Sequence, residues 1–500
     1  MRIVLSFIIS VFIFHYTQAQ TLNDRAMEQA KKSFPVFYEL LSLENDAHFP
    51  EAIEKNMLWC EKAFSARQFR TQRLQTKGIP LLLAERSVKD AKKTVLIYLQ
   101  IDGQPVDPEK WDQPSPWKPV LKEMNADGKW IIIPDEKLQG KINPDWRIFA
   151  RSTSDAKGPA MAYLAALDAL ADMKALPNYN MKVILDFEEE LGSPRLPAAV
   201  TQYKKELSAD MLIIFDGPRH VSNQPTLSFG ARGISEITLT TFGPRSPMHS
   251  GNYGNYAPNP VFGMSSLLAS MKGDDGRVKI PGFYDGIVIT DAEKKLLSEV
   301  PDKEEDIKKF LGIAAPEKVG ANFQEAMQYP TLNVRGLQAL YVGEKARTLI
   351  PDKAIAEIDI RLVPTSDANR LIELVKNHII AQGYHLVDKE PTEKERATYP
   401  KLASFVSNTS YGAFQTSFDS ETGIWLQKAM KQAFGKDPIR IRITGGSIPI
   451  SPFVVTLGIP AVSVPTVNAD NNQHAENENI RVGNYIDAIK TFLAIMLEKL

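Results

Sequence analysis

The chain has 500 residues, 43% of them hydrophobic and 24% charged, with a formal net charge of -1. That length points to two or three domains, and that composition to an ordinary globular protein. Near-neutral charge without a basic cluster excludes the electrostatic footprint of a nucleic-acid binder. The single cysteine, Cys60, excludes an intrachain disulfide and a multi-cysteine zinc site.

In chain order, the first feature is a start of secretory type. Met1-Arg2 is followed by an apolar run from Ile3 to Phe14, broken only by Ser6 and Ser10, and then by Thr17-Gln18-Ala19. This is the pattern of a signal peptide over residues 1–19, cleaved near Ala19. A run of about 12 apolar residues is short of the roughly 20 that span a bilayer. The expected location is therefore secreted or periplasmic, with no membrane attachment after cleavage.

Leu22 to Ala66 reads as helical, with a turn at His48-Phe49-Pro50. Thr94 to Leu99 (TVLIYL) is a continuous apolar run, as in a strand buried on both faces. Gly158 to Leu176 has helical spacing of Ala, Leu and Met. Lys182 to Phe187 (KVILDF) and Met211 to Phe215 (MLIIF) read as further buried strands, so strands alternating with helices predict a mostly parallel, covered sheet. Near Ser228 the texture changes. Ile234 to Phe242 and Ala354 to Val363 alternate apolar and polar residues, as in a sheet with one wet face, and a Gly/Asp/Pro-rich loop runs from Lys272 to Asp285. These features predict a second, α+β domain over 227–392. It would interrupt a first domain made of 20–226 and 393–500, with a polar connection and strand at 393–415 and a buried strand at Ala461 to Val464.

Polar residues stand where these buried strands end, which is where open α/β sheets build sites. Asp102 follows the first strand, Asp155 precedes the Ala-rich helix, Glu188-Glu189-Glu190 follow KVILDF, Asp216 follows MLIIF, and His474 lies in NNQHAENE. Taken singly, each acid reads more readily as a helix cap or a solvated loop than as a ligand. Gathered together they would repel one another unless divalent cations cancelled the charge. Oxygen and imidazole donors without thiolate suit zinc, with manganese or cobalt as alternatives.

YLQIDGQPVDPEKWDQPSPW, ARSTSDAKGP, EEELGSP, FDGP, MHSGNYGNYAPNP, RLVP, TGGSIP and NNQHAENE, taken in order, resemble the M20 metallopeptidases, a group of carboxypeptidases, carnosinase-like dipeptidases and aminoacylases. GRVKIPGFYDG resembles the dipeptidase branch. The resemblance implies a zinc-exopeptidase-like α/β catalytic domain, interrupted by a smaller ferredoxin-like α+β domain serving as lid and dimerisation surface. It implies hydrolysis of an amide bond in a dipeptide, small peptide or N-acyl amino acid. Two ions per subunit would be held by Asp155 as bridge, Glu190 and His474 at one position, and Asp216 at the other. Glu189 would be the general base toward a metal-activated water, and Asp102 would steady a metal-site group. His249 would reach the partner subunit's active site and support the oxyanion, implying a homodimer. Arg361 would clamp the substrate carboxylate, with Thr348, Gly446 and Ser447 adding donors.

Two positions depart from the family pattern. Where the family has His-x-Asp, this chain has Gln100-Ile101-Asp102, so the second ion loses an imidazole and gains a neutral amide oxygen. A weaker or different second ion, a single ion, and loss of catalysis with retained ligand binding all remain open. His220, four residues after Asp216, is a substitute donor only if its loop faces the site. Thr444 stands where dipeptidase relatives carry an acid that meets a free amine, which tilts the substrate toward N-blocked amino acids. No Gly-x-Ser-x-Gly elbow points to a serine hydrolase.

Overall fold

A computed structural model describes residues 2–446 and 449–500, with side chains from Thr21 onward. The α/β class is as expected. The chain forms two compact units: Met1–Gly230 with Gln415–Arg442 and Pro452–Leu500, and Ala231–Phe414 with Ile443–Ser451. The second unit thus closes at Phe414, beyond the expected 392, and reclaims the segment around Gly446. The cause is the strand Leu402–Tyr411, which pairs antiparallel with Gly233–Phe242 from Phe242 opposite Leu402 to Ile234 opposite Tyr411.

In the first unit, eight strands form one sheet. Their order is Arg70–Leu74, Leu81–Arg86, Asn180–Asp186, Thr94–Gln100, Met211–Ile214, Ala461–Ser463, Thr226–Ser228 and Ile439–Ile441. The centre is parallel: Thr94–Gln100 pairs in parallel with both Asn180–Asp186 and Met211–Ile214, and Ala461–Ser463 continues the pattern. A parallel sheet covered on both faces leaves its central strands no wet side, and TVLIYLQ is accordingly almost wholly buried. The margin at Arg70–Leu74 and Leu81–Arg86 is antiparallel, an addition that the sequence pattern did not predict. So is a separate four-stranded antiparallel sheet of Asn479–Arg481, Arg147–Phe149, Val120–Met124 and Trp130–Ile133.

The helices Lys157–Asp172 and Val482–Leu497 are buried on nearly every side, in keeping with their all-round apolar composition. The first helix, Arg2–Leu41, packs against both. It does so through Leu22, Ala26, Ala30, Phe34, Phe37 and Leu41, whose spacing of three and four residues makes one face. Phe37 stacks on Tyr485 with ring centroids 4.9 Å apart. Among the described residues no helix is long and apolar enough to cross a membrane.

The second unit is a five-stranded sheet in the order Asn333–Gln338, Lys353–Leu362, Gly233–Phe242, Leu402–Tyr411 and His385–Val387. It is antiparallel except for its last pair. The alternation seen in the sequence sends Ile237, Leu239, Ala356, Ile358 and Ile360 into one core, where helices Pro260–Met271 and Ala368–Ala381 contribute Met264, Leu267, Leu371 and Val375. Both helices are capped by a side-chain oxygen, Asn259 and Asp367 respectively. Val278, Ile280 and Phe283 of the Lys272–Asp285 loop plug the same core.

Candidate metal centre

The parallel strands of the first unit deliver their acids at the carboxyl ends, as the sequence pattern predicts. Beyond Asn180–Asp186 the chain turns through the short helix Glu189–Leu191, closed by Gly192 at φ 78°. Asp102, fully buried just past Gln100, holds this turn: its Oδ1 and Oδ2 accept from the Glu189 and Glu190 backbone N–H groups at 3.1 and 3.0 Å. Asp102 therefore holds Glu189 and Glu190 together, through backbone. Burial, and then the nearby Asp186, push its own carboxyl well above the usual range.

Asp155 sits in the loop that opens helix Lys157–Asp172. The loop is wrapped around a buried carboxylate, Glu478. Its Oε1 accepts from Ser154 N and Asp155 N at 2.9 and 3.0 Å, its Oε2 from Ser152 N at 2.8 Å, and Arg151 Nη1 pairs with Oε2 at 2.9 Å. Ser154 Oγ and Thr153 Oγ1 add bonds to the Asn479 and Ala150 carbonyls. Only glycine fits at 158, because a Cβ there would stand 2.1 Å from the Thr153 carbonyl oxygen. That close approach fixes the helix start, and with it Asp155.

His474 comes from a loop in which Asn472, His474 and Asn477 all have positive φ. Asparagine adopts this left-handed conformation readily, whereas at His474 it costs roughly 1–2 kcal/mol. The loop is tied down by Gln473 N to Asn471 Oδ1 at 2.8 Å and Asn479 N to the Asn471 carbonyl at 2.8 Å. Its imidazole Nε2 lies 3.0 Å from Asp155 Oδ2 and 3.3 Å from Glu190 Oε2. Asp155, Glu190 and His474 each offer a donor atom within 4.8 Å of the others, a spacing that a single ion can fill.

The electrostatics describe crowded negative charge. Burial raises the Glu189 carboxyl well above its usual value, helped by Asp216, Glu190 and Asp155. Burial and then Asp155 lift Glu190 to about 8 and Asp216 to about 7. The hydrogen bond to Asp155, opposed by burial and reinforced by Glu190, lifts His474 to about 9. Positive charge placed among these groups would reverse each carboxylate shift.

Gln100, at the end of its strand, donates from Nε2 to Asp155 Oδ1 at 2.5 Å, and its buried Oε1 has no hydrogen-bond partner. Asp216 accepts from Gly217 N at 2.7 Å through Oδ1. His220 is engaged in its own turn, with Nδ1 2.9 Å from Ser222 Oγ, and lies outside the three-residue cluster.

The remaining expected residues belong to the second unit. His249 is exposed and caps a short helix, its Nδ1 accepting from Gly251 N at 3.0 Å. Thr348 lies beside it: His249 pairs with Leu349, and Ser250 N donates to the Thr348 carbonyl at 2.9 Å. Arg361 is a strand residue with its Nε 3.5 Å from Asp359 Oδ2 and its backbone tied to Thr331. Gly446 is exposed, and Ser447 lies outside the described residues.

Three residues escaped the sequence reading. Glu478 shapes the Asp155 loop, Gln104 Nε2 donates to Glu190 Oε2 at 2.7 Å, and Gln473 Nε2 reaches Asp155 Oδ2 at 3.3 Å. All three sit within a few residues of an expected ligand or support. That proximity was the one signal available for them.

The model of Peptidase family M20/M25/M40 matches residues 96–498. A Beta-Ala-His dipeptidase of Mus musculus is 27% identical over 430 residues, covering 84% of this chain and 80% of that one. A Cys-Gly metallodipeptidase of Schizosaccharomyces pombe is 25% identical over 428 residues, covering 84% and 82%. Among solved structures, an M20 family metallo-carboxypeptidase from Sulfolobus solfataricus is similar with a TM-score of 0.74 at 28% identity, covering 93% of this chain and 98% of that one.

Proposed function

Because the chain belongs to Peptidase family M20/M25/M40 and is an enzyme of that peptidase class, we propose that it hydrolyses the amide bond of a dipeptide, with N-acyl amino acids as the next substrate class. The observation that carries this reading is the convergence of Asp155, Glu190 and His474 within 4.8 Å, next to the half-buried Glu189. The substrates named for the relatives, Beta-Ala-His and Cys-Gly, supply the dipeptide class.

The donors fit the divalent ion implied by the metallo-enzyme relatives. Two carboxylates and an imidazole suit zinc, and the unpartnered Gln100 Oε1 offers one more oxygen. We assign two ions per subunit: Asp155 would serve both, Glu190 and His474 would complete the first position, and Asp216 would serve the second. A bound ion supplies the charge that acidifies water and polarises the scissile carbonyl.

The protein's own groups do the rest. Glu189 takes the proton from the attacking water and returns it to the leaving amine. Asp102 keeps the base and Glu190 in register by gripping their N–H groups. Arg361 is assigned to the substrate carboxylate, with Thr348, Gly446 and Ser447 as further donors, and His249 to the oxyanion.

The test is turnover of a panel of dipeptides and N-acyl amino acids by pure protein under zinc, manganese and cobalt. We expect hydrolysis that a chelator abolishes and added metal restores. Ligand binding without turnover under any metal would instead establish the rival reading that Gln100 motivates, a binding protein that has lost catalysis.

We further propose a cleaved signal over 1–19, export to the periplasm or beyond, and a homodimer formed through the second unit acting as lid. Exported protein should give an intact mass beginning at Gln20 and sediment at twice the chain mass. An uncleaved monomer would contradict both assignments.

A further inference from the structure

A segment far from every candidate ligand in sequence reaches the supports of the metal centre. Helix Arg2–Leu41 ends in a loop, and Asn45 of that loop is fully buried. Its side chain meets two segments at once. Nδ2 donates to the Ile101 carbonyl at 2.5 Å and to Ser152 Oγ at 3.0 Å. Ile101 lies between Gln100 and Asp102, at the end of strand Thr94–Gln100. Ser152 belongs to the loop that carries Asp155, and its N–H is held by Glu478.

The backbone repeats the contact. Gly103 N donates to the Asn45 carbonyl at 2.9 Å, and Asp46 bridges Gly103 in parallel. A Cβ at Gly103 would stand 2.1 Å from Ser152 Oγ and 3.1 Å from Asn45 Nδ2, so the strand end, the Asp155 loop and Asn45 are packed at one point. The segment is also gripped from beyond Asp155. Lys157 is fully buried and donates from Nζ to the Leu40 and Leu43 carbonyls at 3.0 and 2.5 Å.

An amide suits this place, because its two N–H bonds can satisfy a carbonyl and a hydroxyl oxygen together. Asp102 shapes the Glu189–Glu190 turn, and Glu478 shapes the Asp155 loop. Asn45 joins one of these supports to the other. We propose that Asn45 is a positioning residue of the catalytic centre, whose amide sets the spacing between the strand end that bears Asp102 and the loop that bears Asp155. It acts through Asp102 and Ser152 and hydrogen-bonds to no ligand itself. The assignment rests on the metallopeptidase reading above. A metal centre tolerates shifts of only about 0.2 Å in its ligand distances, so slack between the two supports should appear as lost metal affinity.

The test compares N45A, S152A and T416V with the wild type, as full chains. Zinc affinity is read by competition with a chelator, stability by melting temperature, and turnover of the best dipeptide by kcat and KM at saturating zinc. Thr416 is the structural control: its buried hydroxyl accepts from Ala461 N at 2.9 Å and donates to the Ala461 carbonyl at 2.7 Å, at the start of strand Ala461–Ser463 and away from the strand ends that bear the acids. N45A should weaken zinc by roughly tenfold, the smaller end of what groups supporting metal ligands contribute. It should lower kcat with little change in KM, since the residues assigned to the substrate carboxylate belong to the second unit. S152A removes a single hydroxyl and should shift zinc affinity and kcat in the same direction by less. It decides the matter if N45A folds poorly. The double variant should lose less affinity than the two singles combined, because they share one hydrogen bond. T416V should lower the melting temperature and leave zinc affinity alone. Unchanged zinc affinity in N45A and S152A, or an equal loss in T416V, would overturn the proposal while wild-type turnover left the metallopeptidase reading standing. A wild type that neither binds zinc nor turns over any dipeptide would remove that reading itself.

Discussion

Glu189→Gln is expected to lower kcat on the best dipeptide substrate by about 10²–10⁴-fold, the usual contribution of a general base, while metal content and melting temperature stay near wild type. That factor is about 3–5 kcal/mol of transition-state free energy. Gln matches Glu in shape but cannot accept a proton. The Glu189 N–H bond to Asp102 is a backbone contact that the substitution leaves intact. The geometry of the turn, and therefore the position of Glu190, should survive. The loss should fall on kcat with little change in KM, because the missing interaction belongs to the proton transfers alone. Activity within a few-fold of wild type would remove Glu189 from the role of base.

The largest effect on stability should come from Glu478→Ala. Arg151 and Glu478 are 3% and 1% exposed at their side chains and stand 2.9 Å apart. Removing one partner of such a buried pair costs about 3–5 kcal/mol, because the other charge is left behind unpaired. Three backbone N–H groups, of Ser152, Ser154 and Asp155, lose their acceptor at the same time. Against a total stability of about 5–15 kcal/mol this is a large fraction. At about 2–4 °C per kcal/mol, the melting temperature should fall by roughly 6–20 °C. Arg151→Ala should cost less, since the N–H groups keep their carboxylate. In the double mutant the combined loss should be smaller than the sum of the singles, as coupled partners require. Scanning calorimetry with circular dichroism would check all three variants. A melting temperature for Glu478→Ala within about 2 °C of wild type would show that the loop around Asp155 holds its shape without the carboxylate.

How far the site could be read in advance depended on what kind of feature carried it. Gln100, Asp102 and Asp216 stand at the ends of apolar runs, and an apolar run without alternation marks a strand buried on both faces. Its polar terminus then marks the sheet edge where sites form. Glu189 and Glu190 were legible for the same reason. Glu478 was not, because nothing local separates a buried acid from a solvated one. Its burial depends on Arg151 and on a loop more than 300 residues earlier in the chain. Gln104 and Gln473 are alike in this: an amide becomes part of a site only when a distant acid is brought to it.

The domain boundary teaches the same lesson with backbone instead of side chains. Leu402–Tyr411 has an exposed, polar second half that reads as a connection. Its place in the second unit is set by hydrogen bonds to Gly233–Phe242, from residues about 170 positions away. The antiparallel margin at Arg70–Leu74 and Leu81–Arg86 was missed because pairing direction leaves no trace in composition.

From sequence alone, then, came the alternation of strands and helices, the half-wet strands of a second domain, and the identity of the acids and histidine able to bind a cation. Each of these follows from periodicity and from residue chemistry, which are local. Tertiary structure alone decided which strands share a sheet, where the second unit ends, that Asp102 works through two backbone N–H groups, and that Gln100 meets Asp155 with its own oxygen left over. These are facts of long-range pairing. They depend on which groups the closed chain removes from water together, and no short stretch of residues carries that information.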